Sequence, residues 1–275
     1  MKYKRIPSGA KRMLTSLPWS FRRSVLADRS LRILCTHHKT GSVLLANILA
    51  DISDELHVRY FSGNQKELPR NADIWLQIHS KLEPEKLGRD YKGIHVIRNP
   101  YQLIVSGYRY HKVCSEKWCV NLDTPTKADG IRYNIGGLTY QEYLNSVDAQ
   151  EGLSFEIKNR SYNAIMDMYN WRYDDRRFLN VKFEDIISDF DATMHRIFKH
   201  LNLAPIAMET LIEIAGRHNV QKWGSDQVRD NPHITNKVGQ LYTYQKTLMP
   251  EHYSLFKDLF PSDIMPKLGY EEGPS

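Results

Sequence analysis

Short apolar runs alternate with longer amphipathic ones from residue 31 onward. Leu31-Arg32-Ile33-Leu34-Cys35 is of strand length; a polar turn follows it, and Val43 to Ala50 continues as a Leu- and Ala-rich segment of helical character. Alternation of Leu56, Val58 and Tyr60 predicts a strand over 54–61, and the run from Ile74 to His79 predicts another. Gly93 to Ile97 reads as a buried strand ending at Arg98-Asn99-Pro100, with a helix over 101–111 that has Pro100 near its first turn. The pattern also predicts a strand over 178–183 and helices over 139–146, 155–173, 189–201, 205–216 and 250–259. Residues 112–137 and 217–239 lack apolar periodicity; the first is long enough to be a functional loop or lid.

Strands separated by helices predict an α/β fold with a mostly parallel sheet. No internal repeat, low-complexity tract or Pro/Gly linker interrupts the chain, so a single domain is expected over 31–275 behind a basic arm over 1–30. That arm carries Lys2, Lys4, Arg5, Lys11, Arg12, Arg22 and Arg23 with only short apolar pieces, so neither a secretory signal nor a membrane span is read there. With Trp19 and Phe21 on one side, it could touch an anionic membrane surface as a peripheral contact.

Composition changes the picture little. The 275 residues are 41% hydrophobic and 25% charged, ordinary for a globular protein. A formal net charge of +6 suits an anionic ligand, an acidic glycan, nucleic acid or a membrane surface. Outside the N-terminus no long basic run is interleaved with aromatics and no nucleic-acid module is recognisable, so no nucleic-acid partner is expected. Cys35, Cys114 and Cys119 form an odd, sparse set, which predicts reduced thiols in a cytoplasm, although Cys114 and Cys119 are near enough in sequence to pair if exported. No His or Cys grouping has zinc-site spacing, and no metal is expected.

The chemistry concentrates behind the first strand, in Thr36-His37-His38-Lys39-Thr40-Gly41-Ser42-Val43. The first turn of a helix has N–H groups without intrahelical partners, and the helix dipole adds partial positive charge there, so strand, loop and helix in succession make an anion cradle. Gly41 allows close backbone approach, Lys39 supplies a mobile charge, and the hydroxyls of Thr40 and Ser42 can donate to oxyanions. A Walker A loop is excluded, because its glycine spacing is absent and the lysine precedes the glycine. His79 falls at a strand's carboxyl end, where parallel sheets place ligands, and Arg98 and Ser106 are eight positions apart across a strand-to-helix turn, placed to grip one phosphate.

The lysine-first loop resembles the 5′-phosphosulfate loop of sulfotransferases that use 3′-phosphoadenosine 5′-phosphosulfate (PAPS), and Arg98-Asn99-Pro100-Tyr101-Gln102-Leu103-Ile104-Val105-Ser106 resembles their 3′-phosphate motif. Val181-Lys182-Phe183-Glu184-Asp185 and Leu201-Asn202-Leu203 are similar to further phrases of that family, as is Lys237-Val238-Gly239 to its C-terminal nucleotide cover. The resemblance spans about Leu31 to Tyr270 and implies a three-layer α/β/α fold of the P-loop-nucleotide-hydrolase kind. It implies PAPS as cosubstrate, held by His38, Lys39, Thr40, Gly41, Ser42, Val43, Arg98, Ser106 and Lys237, with Lys39 and His79 catalytic. The sequence departs from the pattern at Val43 and Leu44, at Gln77 where a lysine would precede the histidine, and at Ile234-Thr235-Asn236.

In-line transfer of a sulfuryl group to an acceptor hydroxyl or amine follows, with His79 as base and His37 and His38 as rivals whose other role is to shape the loop. Tyr108, Tyr110, His111, Lys112, Trp118 and Tyr133 are candidates to line the site of a carbohydrate, lipid or small-molecule acceptor. A P-loop nucleotide kinase and a non-catalytic binder of phosphorylated or sulfated ligands are the alternatives; the kinase is disfavoured by the missing Walker lysine.

Overall fold

The computed structural model describes residues 26–122, 135–203, 207–223 and 244–273. In chain order these form β1 (Leu31–Cys35), α1 (Ser42–Leu56), β2 (Tyr60–Ser62), β3 (Ile74–Gln77), β4 (Tyr91–Ile97) and α2 (Pro100–His111). Next come α3 (Lys117–Val120), α4 (Tyr140–Ser146), α5 (Ala149–Lys158), α6 (Arg160–Tyr169) and β5 (Phe178–Lys182). The chain closes with α7 (Phe183–Ser188), α8 (Phe190–His200), α9 (Met208–Gly216), α10 (Tyr244–Thr247), α11 (Pro250–Leu259) and α12 (Ile264–Lys267). The basic arm, Tyr133 and Lys237 lie outside the described residues.

The described residues divide into one compact unit from 26–97 with 172–219 and a second from 98–171 with 220–273. The first holds a five-stranded sheet in the order β2-β3-β1-β4-β5, with every pairing parallel. This is the expected α/β class. β1 is central and buried along its whole length, which explains its near-continuous apolar composition. Arg32 is the exception, and it is fully buried because its guanidinium donates to the carbonyls of Leu201, Asp28 and Asn202 and to Asp28 Oδ1 at 2.9–3.2 Å.

Helix α1 buries Leu45, Ile48, Leu49, Ile52 and Ser53, one face at helical spacing. That face joins Leu34, Leu76, Ile94 and Val181 of the sheet, Ile197 and Phe198 of α8, and Leu211 and Ile214 of α9 in one core. The strand expected over 54–61 is corrected here: Asp54–Leu56 is the last turn of α1, which ends at His57 with φ 52°, and only Tyr60–Ser62 is extended. A residue in the left-handed region stops a helix abruptly, and alternation over so few positions does not reveal it. The helix expected over 155–173 is likewise two helices, broken at Asn159 (φ −120°, ψ −100°).

Gly93 shows how closely the sheet is packed. A Cβ there would lie 2.2 Å from Phe178 Cε1 and 3.0 Å from the Ile33 carbonyl oxygen. Gly93→Ala is therefore expected to lower stability by about 1–3 kcal/mol through overpacking. Thermal melting checks it, and Phe178→Leu in the same chain should restore part of the loss.

In the second unit Tyr101 of α2 packs against Tyr253 and Phe256 of α11, with ring centroids 5.0 and 4.7 Å away. Glu156 of α5 is fully buried and accepts from His111 Nδ1 (2.8 Å), the Tyr140 hydroxyl (2.7 Å) and the Ser161 hydroxyl (2.8 Å). Burial pushes its carboxyl up, but the His111 charge and these donors outweigh that and hold it below the ordinary carboxylate value.

Candidate active site

Chain order β1, β2, β3 runs to one side of the sheet and β4 lies on the other, so the carboxyl end of β1 is the point at which ligands bind in open parallel sheets. The loop from Thr36 to Gly41 sits there. Lys39 has φ 62° and Gly41 φ 97°, both in the left-handed region. Glycine is required at 41 twice over, since a Cβ would also lie 2.9 Å from the Phe183 ring. At Lys39 the same backbone region is strained for a residue with a side chain, a condition that concentrates at functional sites.

The loop is braced through one atom. The His37 carbonyl accepts from the Thr40 hydroxyl (3.0 Å), the Thr40 N–H (3.2 Å) and the Ser42 hydroxyl (3.2 Å), while the His37 N–H donates to Thr40 Oγ1 (2.7 Å). The fully buried Thr40 hydroxyl thus holds the loop's own shape, whereas the sequence pattern aims it at an anion. Ser42 Oγ also lies 2.8 Å from Thr36 Oγ1. Behind this turn, α1 starts at Gly41 with no side-chain cap and no acidic residue in its first turn. Its first N–H groups and its dipole are therefore left for an anion, with Lys39 and His38 half-buried beside them.

The turn that carries His79 is stapled to the same loop. Ser80 Oγ donates to the Thr36 carbonyl (2.9 Å), and the Thr36 N–H donates to the Gln77 carbonyl (3.0 Å). Gln77, buried where the resemblance calls for a lysine, shapes the turn: its Oε1 accepts from the His79 N–H (2.8 Å) and its Nε2 donates to the Lys81 carbonyl (2.9 Å). His79 itself is exposed, as is Ile78 beside it.

Beneath the loop lies a buried histidine pair, whose one trace in the sequence is the imidazole of His95 inside an apolar run. His37 Nε2 and His95 Nε2 are 2.7 Å apart, and His95 Nδ1 is 3.0 Å from Asn180 Oδ1. Burial, and then the neighbouring His95 and His79 rings, hold His37 well below the ordinary imidazole value. Burial lowers His95 to about 3 against a smaller upward pull from Asn180.

In the second unit Arg98 and Ser106 meet as their spacing predicts, with Arg98 Nη1 donating to Ser106 Oγ at 3.1 Å and both residues buried. Asn99 caps α2, its Oδ1 accepting from the N–H groups of Tyr101 (3.0 Å) and Gln102 (3.2 Å). Of the acceptor-site candidates, Tyr108, Tyr110 and His111 are buried, and the Arg160 guanidinium lies over the Trp118 ring at 4.0 Å.

A family model described as the sulfotransferase domain matches residues 64–260, more than half of the chain. The chain belongs to the sulfotransferase family. That match takes in Arg98, Ser106 and His79 but begins beyond the loop at Lys39. Among solved structures, mouse sulfotransferase SULT7A1 complexed with PAP is similar at 14% identity and a TM-score of 0.47, over 92% of this chain and 90% of that one. Retinol dehydratase in complex with androsterone and the inactive cofactor PAP is similar at 12% identity and a TM-score of 0.47, over 89% and 82% of the two chains. No curated protein matches this sulfotransferase by sequence. Among its described residues no helix is long and apolar enough to cross a membrane, and no group of three or more His, Cys, Asp or Glu is placed to hold a metal ion.

Proposed function

We propose that this sulfotransferase moves a sulfuryl group from PAPS to a hydroxyl or amine of a carbohydrate, lipid or small-molecule acceptor. The observation that carries it is the left-handed turn at Lys39 and Gly41 before the uncapped start of a 15-residue helix. Such a cradle fits the anionic 5′ end of the nucleotide, and the buried Arg98–Ser106 pair fits a phosphate. His38, Lys39, Thr40, Gly41, Ser42 and Val43 would hold the first, and Arg98 and Ser106 the 3′-phosphate. The three cysteines favour a reducing, cytoplasmic setting.

PAPS supplies the sulfuryl group, which passes to the acceptor atom as the bond from sulfur to the bridging phosphate oxygen breaks. The Lys39 ammonium balances the negative charge that grows on that leaving oxygen, and the first N–H groups of α1 orient the phosphate. His79, exposed on the turn braced by Gln77, takes the acceptor's proton.

Transfer of ³⁵S from labelled PAPS to an acceptor panel, in EDTA and without ATP, tests the whole reading. Labelled product is expected, and its absence across the panel would sink it. For the base, His79→Ala is expected to lower kcat about 100-fold or more while leaving nucleotide affinity nearly unchanged. Full turnover in that variant removes His79 from the mechanism.

A further inference from the structure

We propose that His95 and Asn180 are positioning residues for the anion-binding loop, which they hold from beneath through His37. The inference rests on the PAPS reading for its ligand. Its geometry is independent of that reading. His95 stands in register with Cys35 of β1 on one side and with Asn180 of β5 on the other. His37, two residues beyond Cys35, follows the strand alternation onto the same face. The result is a chain of side chains, Asn180–His95–His37, that runs across three strands and ends in the loop.

The two imidazoles are buried, His37 1% exposed and His95 0%, while Asn180 ends the chain at an exposed position of β5. The two imidazoles meet edge to face, with centroids 5.0 Å apart and planes at 82°, and Tyr173 packs on the far side of His95 with its centroid 5.7 Å away. With Asn180 Oδ1 as acceptor, His95 carries its proton on Nδ1 and accepts at Nε2, so His37 donates from Nε2. That assignment leaves His37 Nδ1 as a buried acceptor with no partner among the described residues. A ring fixed at one edge only would gain by rotating; the His95 contact prevents this.

The consequence for the loop follows from where His37 sits. Its side chain is tied to β4 and β5, and its backbone carbonyl is the atom on which Thr40 and Ser42 converge. Moving the ring moves that carbonyl, and with it the strained backbone at Lys39 and the start of α1. A neutral His95 is needed for the chain to persist, since a proton on its Nε2 would leave nothing to accept from the His37 Nε2–H. The groups that face the pair include His79 from the turn after β3, Tyr173 from the segment before β5, and Asn180 from β5 itself.

The test uses the full chain as wild type, His95→Leu and His95→Gln, with PAP as the probe and calorimetric affinities from pH 5 to 8. Glutamine places an amide near the position of Nε2 and so serves as the conservative rescue. His95→Leu is expected to bind PAP at least 10-fold more weakly than wild type, with a variant-to-wild-type ratio that changes with pH as the released His37 titrates. His95→Gln should recover most of the affinity. Phosphate titration of PAP itself cancels in that ratio. His95→Leu binding within 2-fold of wild type, at a ratio constant with pH, overturns the positioning role. Wild type that binds no PAP overturns the PAPS reading and the inference with it, so the two failures are distinct. Should His95→Leu fail to fold, side-chain ¹⁵N resonances of wild type decide: a His95 ring that is neutral and protonated on Nδ1 at pH 5.5 supports the chain, and a His95 ring that titrates near pH 6.5 overturns it.

Discussion

Replacing Lys39 by alanine is expected to lower kcat/KM for sulfuryl transfer by about 100-fold or more, the range lost when one preorganised charge-stabilising group is removed from an active site. Stability should hardly move. Lys39 is only half-buried, and none of the hydrogen bonds that brace its loop through the His37 carbonyl involves its side chain. Glycine at the same position separates strain from chemistry. With φ at 62°, an L-residue there carries roughly 1–2 kcal/mol of steric penalty that glycine escapes, offset by roughly 0.5–1 kcal/mol of extra chain entropy in the unfolded state. Lys39→Gly should therefore melt at or slightly above the wild-type temperature and be as inactive as Lys39→Ala. Lys39→Arg keeps the charge on a planar group of different shape and should retain part of the rate. Steady-state ³⁵S transfer with parallel melting curves checks all three, and a Lys39→Ala enzyme with more than a tenth of wild-type kcat/KM would refute the role of the ammonium.

Features carried by contiguous residues were legible in the sequence. Apolar run, polar turn and Leu/Ala-rich segment from Leu31 to Ala50 became β1, its loop and α1 because each is defined by its own local pattern. Arg98 and Ser106 are hydrogen-bonded across two turns of α2 because helical geometry fixes where a residue eight positions on must lie. Boundaries were less legible. The left-handed residue His57 ended α1 where alternation of Leu56, Val58 and Tyr60 resembled a strand, and nothing in the side-chain pattern marks a single positive φ at a non-glycine residue.

Tertiary support was scarcely legible. His95 lies inside an apolar strand and Asn180 inside another, 85 positions later, and only the register of β1 with β4 and of β4 with β5 brings them to His37. A polar residue in the run Gly93 to Ile97 was the one signal available, since a strand buried on both faces has little reason to hold an imidazole without a partner. The same dependence on packing explains Thr40. Its hydroxyl is suited to an oxyanion by chemistry, yet burial turns it toward the His37 backbone.

Acid should destabilise this protein in a window set by that pair. Burial holds the folded His95 at about 3, and it holds His37 well below the ordinary 6.5. Below pH 6.5 the unfolded chain binds protons on both rings and the folded chain does not, so stability falls as the pH falls, and continues to fall until the folded pKa is reached. For His95 alone the loss is about 2 kcal/mol by pH 5, and His37 adds to it in the same direction. For a chain of this size the pair should lower the melting temperature by on the order of 10 °C between pH 7.5 and pH 5. Carboxylates held below their ordinary values, among them Asp28, Glu116, Glu156 and Asp175, also favour the folded state, but their contribution is lost only as pH falls below about 4.5, outside this window. Melting curves at half-unit steps from pH 7.5 to 5 give the slope directly, and His95→Gln should flatten it by removing one of the two rings. A wild-type melting temperature that stays constant across that range would show that at least one imidazole reaches water or a counter-charge, which the burial of His37 and His95 does not permit.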